Sequence, residues 1–201
     1  MSPLLKWTLI GVPAAMVVCL VGCSLTRAGY QSPAYKIRER IGQIEVREYP
    51  PLLLAETRTR RELEGKDGSF MRLFRFIAKG NNAAQKIPMT TPVLYHGEGA
   101  KEAMAFVLPE GMKSAEVPSP LDSAVRIETR EGGTYAAIRF RGGRRSKALQ
   151  QAVSVFDSLA EHSVWRLEGK PEYAFYDPPW IPSFLEKNEV LWRVTKKEPA
   201  N

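Results

Sequence analysis

Residues 69–82 read S-F-M-R-L-F-R-F-I-A-K-G-N-N, and they interrupt a chain otherwise patterned as short strands. Phe70, Leu73, Phe74 and Ile77 fall at i, i+3, i+4 and i+7, the spacing that puts four side chains on one face of a helix. Gly80-Asn81 stands where such a helix would stop. The same periodicity returns once more, where Leu149, Ala152, Val153, Phe156, Leu159 and Ala160 make a longer stripe ending near His162. Around these two segments the signals are those of strands. Ile44 and Val46 alternate with Glu45 and Arg47, and Leu52-Leu53-Leu54-Ala55 follows. Runs at residues 91–95, 103–108, 125–129, 135–140, 173–176 and 189–194 are β-branched or aromatic and bounded by Gly, Pro or charge. Gly97-Glu98-Gly99, Glu131-Gly132-Gly133 and Asp177-Pro178-Pro179 mark turns.

Read in order, residues 44–109 give strand, strand, helix, strand, strand, and residues 125–194 give the same again. Two ββαββ units imply an internal duplication, with Pro118-Ser119-Pro120 as the linker between them. Eight strands and two helices predict one α+β domain, each helix covering part of a curved antiparallel sheet. Neither half buries much core alone, so both belong to one folding unit.

Composition narrows the function. The 201 residues are 44% hydrophobic and 25% charged, with 15 Pro and 15 Gly, which excludes a coiled coil, a collagen-like repeat and a disordered polymer. Two Cys make no disulfide framework and two His offer little for a His-rich metal site. P-loop, G-x-G-x-x-G, H-E-x-x-H and paired C-x-x-C signatures are absent. The formal charge of +7 suits nucleic acid, anionic lipid or a small anion.

Lys6 is the only charged side chain before Arg27, and Trp7 opens an apolar run that ends at Leu20. A positive start and a short apolar stretch describe a secretory signal, shorter than the ~20 residues of a membrane-spanning helix. Leu20-Val21-Gly22-Cys23 resembles a bacterial lipobox. The resemblance implies that residues 1–22 are a lipoprotein signal peptide and that Cys23 becomes lipidated. No free thiol then remains, as suits an oxidising compartment, and several acyl chains on one residue hold a protein firmly at a membrane. Ser24 after the Cys implies the periplasmic side of the outer membrane in a Gram-negative host. An exported protein rarely meets nucleic acid, which leaves lipid head groups and small anions as partners. The expected layout is a lipidated tether at 23–34, one domain at 35–196 and a tail at 197–201.

Three segments carry a wider resemblance. Residues 35–50 run Y-K-I-R-E-R-I-G-Q-I-E-V-R-E-Y-P, residues 80–93 run G-N-N-A-A-Q-K-I-P-M-T-T-P-V, and residues 176–190 run Y-D-P-P-W-I-P-S-F-L-E-K-N-E-V. With A-F-V-L-P at 105–109, they resemble the SOUL, or haem-binding protein, family in order and rough spacing. The resemblance implies a distorted antiparallel β-barrel of two pseudo-symmetric halves, similar to the effector-binding domains of some bacterial regulators. It also implies that haem or a related tetrapyrrole binds in a shallow apolar cleft. That cleft is lined by the first helix and the loop before the last strand, here residues 70–78 and 177–187.

The residues at those positions suit a porphyrin, which needs apolar surface beside cations for its propionates. Met71, Phe74 and Ala78 form one line on the helix, and Pro178, Pro179, Trp180, Ile181 and Pro182 form a loop that prolines pre-order. Arg72, Arg75 and Lys79 share a bordering face, and Lys187 adds a cation near the loop. Phe70, Leu73, Phe74 and Ile77 also serve as core, which makes Met71 the clearer ligand contact on the helix and Trp180 the best single binding residue. Neither His lies where some family members are proposed to supply an axial ligand. His96 ends a strand and His162 ends a helix, so haem is expected without a protein ligand to its iron. The threonines of Pro88-Met89-Thr90-Thr91-Pro92 are read as structural. The expected function is a non-catalytic tetrapyrrole carrier or buffer. The alternatives are an effector-binding module for another flat hydrophobic ligand and a hydrolase recruiting Tyr176 and Glu189.

Overall fold

The structure is a computed structural model that describes residues 29–59, 67–143, 146–178 and 181–197. Cys23 and the lipobox, Pro179 and Trp180 lie outside the described residues. The described residues from Gln31 onward form one compact unit. Along it run β1 (Lys36–Ile41), β2 (Ile44–Tyr49), β3 (Leu52–Arg58), α1 (Ser69–Ile77), β4 (Val93–His96), β5 (Ala103–Val107), β6 (Val125–Arg130), β7 (Gly133–Arg141), α2 (Lys147–His162), β8 (Trp165–Phe175) and β9 (Lys187–Lys196). Both helices and all eight expected strands form. The addition is β1, a charged strand paired to the free side of β2. No helix among the described residues is long and apolar enough to cross a membrane.

All nine strands belong to one antiparallel sheet in the order β1-β2-β7-β9-β8-β4-β5-β3-β6. Without β1 the order is a palindrome: exchanging β2 with β6, β3 with β7, β4 with β8 and β5 with β9 reverses it. The pseudo-two-fold passes between Tyr95 and Tyr173, which pair with each other across β4 and β8. Each half lends its first strand to the other, since β2 pairs β7 and β6 pairs β3. The expected barrel does not close. β1 occupies the edge of β2 that closure would need, and β6 pairs only β3. Lys36, Arg38 and Arg40 along β1 charge that outer edge and discourage further pairing.

The open sheet still curls. The β2–β3 turn and its counterpart, the β6–β7 turn, meet back to back at Gly132. A Cβ on Gly132 would stand 2.9 Å from Tyr49 O and 3.0 Å from Pro51 Cδ, so only glycine allows the approach. The curl makes two apolar layers. Under the helices lie Leu73, Phe76, Ile77, Phe106, Phe140, Phe156 and Phe175, among others. On the helix-free face Tyr49, Leu54, Leu94, Tyr135, Ala174 and Leu191 pack together.

α2 matches its expected stripe, burying Leu149, Ala152, Phe156 and Leu159, with Ser146 accepting a hydrogen bond from Leu149 N at its start. α1 sits rotated from its expected stripe. Its buried residues are Ser69, Leu73, Phe76 and Ile77. Phe74 faces solvent at 42% exposure and Phe70 is half-buried. Phe74 and Phe76 compete for the core and only one fits. The stop at Gly80-Asn81 is as expected: Gly80 N donates to Arg75 O at 2.7 Å.

Candidate functional site

The expected site begins with the row of residues that supports it. Phe106, Val93, Phe175, Asn188 and Phe140 pair in turn across β5, β4, β8, β9 and β7. α1 stands at one end of this row, where the rings of Phe70 and Phe106 meet edge-on at 5.2 Å. The described residues of the loop before β9, 177–178 and 181–186, adjoin the sheet at the other end. Lys187 N donates to Asp177 Oδ2 at 2.6 Å, and Asn188 Nδ2 donates to Gly142 O at 2.9 Å. Half-buried Val93 lies between the two flanks, and strands β5 and β8 on either side of it are two spacings, ~10 Å, apart.

Met71 (46% exposed), Phe74 (42%) and exposed Ala78 make an apolar line on the outer face of α1. Phe70 and Phe74 stack at 6.2 Å, which fixes the orientation of the Phe74 ring. Arg75 and Lys79 are exposed beside that line. Arg72 does not join them, because its guanidinium turns inward to Thr57 Oγ1 and to the carbonyl oxygens of Asp67 and Arg58, at 3.3–3.4 Å. On the other flank Pro178 is half-buried, Lys187 is exposed and Ile181 is buried. Ile181 therefore supports the loop from within. Phe184, which the sequence reading did not single out, is 71% exposed on the same loop.

The second helix supplies an internal comparison. The exposed side of α2 carries Gln150, Gln151, Ser154, Asp157 and Ser158. Two helices related by the pseudo-two-fold thus present opposite chemistries to solvent, apolar and basic on α1, polar on α2.

The G-N-N-A-A-Q-K-I-P-M-T-T-P-V segment works mainly as scaffold. Buried Asn81 donates from Nδ2 to Phe76 O (3.1 Å) and Gln85 O (2.7 Å) and accepts from Gln85 N (2.9 Å), so it ties the end of α1 to the following turn. Asn82 and Ser119 exchange two hydrogen bonds of 2.9 Å, which pins the Pro118-Ser119-Pro120 linker to α1. Thr90 is buried and donates to Val107 O; Thr91 N donates to Gln31 O at 2.8 Å. A cleft of about 190 Å³ beside these threonines is lined by Gln31, Pro33, Pro50, Leu53, Thr90 and Met112, among others. Pockets that enclose drug-sized ligands measure roughly 300–1,000 Å³, so this cleft is too small to enclose a tetrapyrrole.

The helix-free face holds an ionic network that the sequence reading missed. Arg47, fully buried, donates from both terminal nitrogens to Glu189 at 2.8 Å, and from Nη1 to Tyr49 Oη at 3.1 Å. Tyr176 Oη donates to Glu189 Oε2 at 2.8 Å, and Arg139 Nε donates to Oε1 at 3.1 Å. The Tyr35 ring covers the Arg47 guanidinium at 4.2 Å. Burial pushes the Glu189 carboxyl up, but Arg47, Tyr176 and Arg139 together bring it below the usual range. Burial, and then the Glu189 charge, hold the Tyr176 phenol well above its usual value. The pair named for a hydrolase does meet, but as a neutralised clamp. Glu189 is a weak base there and Tyr176 holds its proton.

Both histidines have partners. His96 Nε2 is 3.0 Å from Glu56 Oε2, and His162 Nδ1 is 3.2 Å from Ser158 O, within the last turn of α2. The described residues contain no group of three or more His, Cys, Asp and Glu that would hold a metal ion.

Comparison with known proteins assigns the family. The family model described as SOUL heme-binding protein matches residues 30–193. The chain belongs to that family, whose name carries haem binding. No curated protein sequence matches. Among solved structures, the EcmrR C-terminal domain superposes with a TM-score of 0.55 at 14% identity, covering 77% of this chain and 98% of that one. A hydrolase from Listeria innocua superposes with a TM-score of 0.51 at 10% identity, covering 79% of this chain and 94% of that one. At such identities the likeness is one of fold.

Proposed function

We propose that this chain is a non-catalytic tetrapyrrole carrier or buffer, exported and held at a membrane by lipid on Cys23. The observation that carries the reading is the contrast between α1 and α2. The same element occurs twice, and only the copy at the family's cleft exposes Met71 and Phe74 beside Arg75 and Lys79. An apolar strip of this kind takes a porphyrin face, and cations at its border take propionates. The macrocycle lies between α1 and the loop before β9, against Val93. Neither His96, at the end of β4, nor His162, at the end of α2, lies on α1 or on the loop before β9, which supports binding without a protein axial ligand. The clamped state of Glu189 speaks against hydrolysis.

Haemin titration of the chain from Ser24 onward tests this reading. Saturable binding with a Soret shift is expected. Met71→Ala with Phe74→Ala, and separately Trp180→Ala, weakens it by about 1–3 kcal/mol. Arg75→Ala costs about 1 kcal/mol or less, only for porphyrins with free propionates, and salt erodes that part first. His96→Ala and His162→Ala leave the spectrum nearly unchanged. Absence of saturable binding, or full affinity in both the double variant and Trp180→Ala, would overturn the assignment. A different flat hydrophobic ligand in native mass spectra would move it to the effector-binding alternative. For the anchor, Cys23→Ser abolishes lipidation and releases the protein from the membrane fraction; retention at wild-type levels refutes it.

A further inference from the structure

Residues 68–97 contain Arg72, Arg75, Lys79 and Lys86 and no Asp or Glu, in a chain with 22 acidic residues. This acid-free stretch includes α1 and the connection to β4. Three of its four cations, Arg75, Lys79 and Lys86, are exposed, and Met71 and Phe74 are exposed among them. A further apolar side chain stands at its border. Leu121 N donates to Gly80 O at 3.1 Å, which holds Leu121 beside the end of α1 with 71% of its surface exposed. The acids that flank this surface in sequence are engaged: Asp67 accepts from Ser69 N, Glu98 pairs with Lys170 at 3.2 Å, and Asp122 accepts from Ala124 N. Apolar side chains among cations, without acids, are the chemistry of a surface that rests in the interface of an anionic bilayer.

A second observation is the place where the N-terminal segment joins the body. Gln31 forms a bridge with Thr90 and accepts from Thr91 N, so the chain from Cys23 enters at the end of the same stretch. The eight residue steps from Cys23 to Gln31 reach at most about 28 Å. A lipid on Cys23 therefore keeps Gln31 within that distance of the bilayer, with Thr90 one strand spacing, about 5 Å, beyond it.

We propose that the outer surface of α1, the following residues 78–86 and Leu121 form a docking surface for an anionic lipid bilayer. The distance from Cys23 rests on the proposed lipid anchor, and, on the tetrapyrrole reading, the ligand then exchanges directly with the lipid phase. The α2 face, with its glutamines, serines and Asp157, lacks this character.

The test is co-sedimentation of the chain from Ser24 onward, without tetrapyrrole, with phosphatidylglycerol or phosphatidylcholine vesicles. This chain keeps the whole compact unit and omits the apolar N-terminal run. Binding to phosphatidylglycerol is expected, falling with salt. Arg75→Glu with Lys79→Glu should weaken it at least about tenfold, and Met71→Ser with Phe74→Ser should weaken it at every salt concentration. Lys101→Glu with Lys147→Glu changes the net charge equally but lies elsewhere, and should weaken it far less. Equal loss in both charge-reversal pairs, or no vesicle binding by the wild type, overturns the docking surface. Haemin titration of the same proteins separates the two proposals. Haemin binding without vesicle binding overturns only the docking surface. Vesicle binding without haemin binding leaves the docking surface standing and overturns the tetrapyrrole reading.

Discussion

Arg47 shows how far one side chain depends on residues distant in sequence. Its guanidinium is buried between two carboxylates, Glu189, 142 residues away, and Glu45, whose Oε2 accepts from Nε at 2.9 Å. Removing one partner of such a pair leaves an uncompensated buried charge and costs about 3–5 kcal/mol. Glu45 still faces Arg47 in the Glu189→Gln protein, so the loss of stability should approach but not reach that scale, measured by denaturant unfolding, while the outer face of α1 stays intact. The network also sets the acid limit of the fold. Glu189 and Glu45 titrate below their usual range in the folded chain. Their stabilisation is full above the unfolded value of about 4.3 and is lost as pH falls through the folded values. His96 has the opposite sign. The Glu56 carboxylate raises it against the effect of burial, so its contribution is full below about pH 6.5 and is lost as pH rises through the folded value. Glu56→Gln should flatten the decline in Tm on the alkaline side without changing the acid limb. An unchanged alkaline slope would deny His96 that role. None of this was legible in the alternation around residues 44–47. That pattern marks a strand with one polar face, whereas the curl of the sheet buries both faces of β2.

At the scale of elements, the sequence signals for type and position were reliable because they are local. Periodicity placed both helices, and turn residues bounded the strands. The rotation of α1 was not local information. Leu73, Phe74, Phe76 and Ile77 satisfy helical spacing in either orientation, and packing against other elements buries Phe76 and exposes Phe74. The candidate site was legible in part for the same reason. Met71, Phe74 and Arg75 are exposed on α1 and Ala78 and Lys79 just past its end, but Arg72 folds inward and Ile181 is core, as only their neighbours on other elements decide. Asn81 is the element-level hinge of this arrangement. Asn81→Ala removes three hydrogen bonds at the end of α1 and leaves the Phe76 carbonyl short of a partner, a loss of about 1–3 kcal/mol. Thermal unfolding should show it, and haemin affinity should fall with it, because the turn that sets the helix end is released. Unchanged haemin affinity in a folded Asn81→Ala protein would detach the site from this turn.

For the whole molecule, the palindromic sheet makes the halves inseparable. The duplication was legible as a repeated element order, but the exchange of first strands was not, since pairing partners leave no mark in local pattern. Cutting the chain between Pro118 and Leu121 should give two fragments that are each unfolded alone. Without β6, β3 loses a hydrogen-bonded neighbour, and without β7, so does β2. Mixing the fragments should restore the circular dichroism of the intact chain. A folded single half would contradict the exchanged-strand architecture.

The same pseudo-two-fold bears on how many ligands one chain carries. A fold assembled from two identical ββαββ copies would display two equal helix faces and hence two equal sites. In this chain the two faces differ: α1 exposes Met71 and Phe74, whereas the exposed side of α2 carries glutamines, serines and Asp157. The saturation stoichiometry expected is thus one tetrapyrrole per chain, a number fixed by broken symmetry and not by the size of the protein.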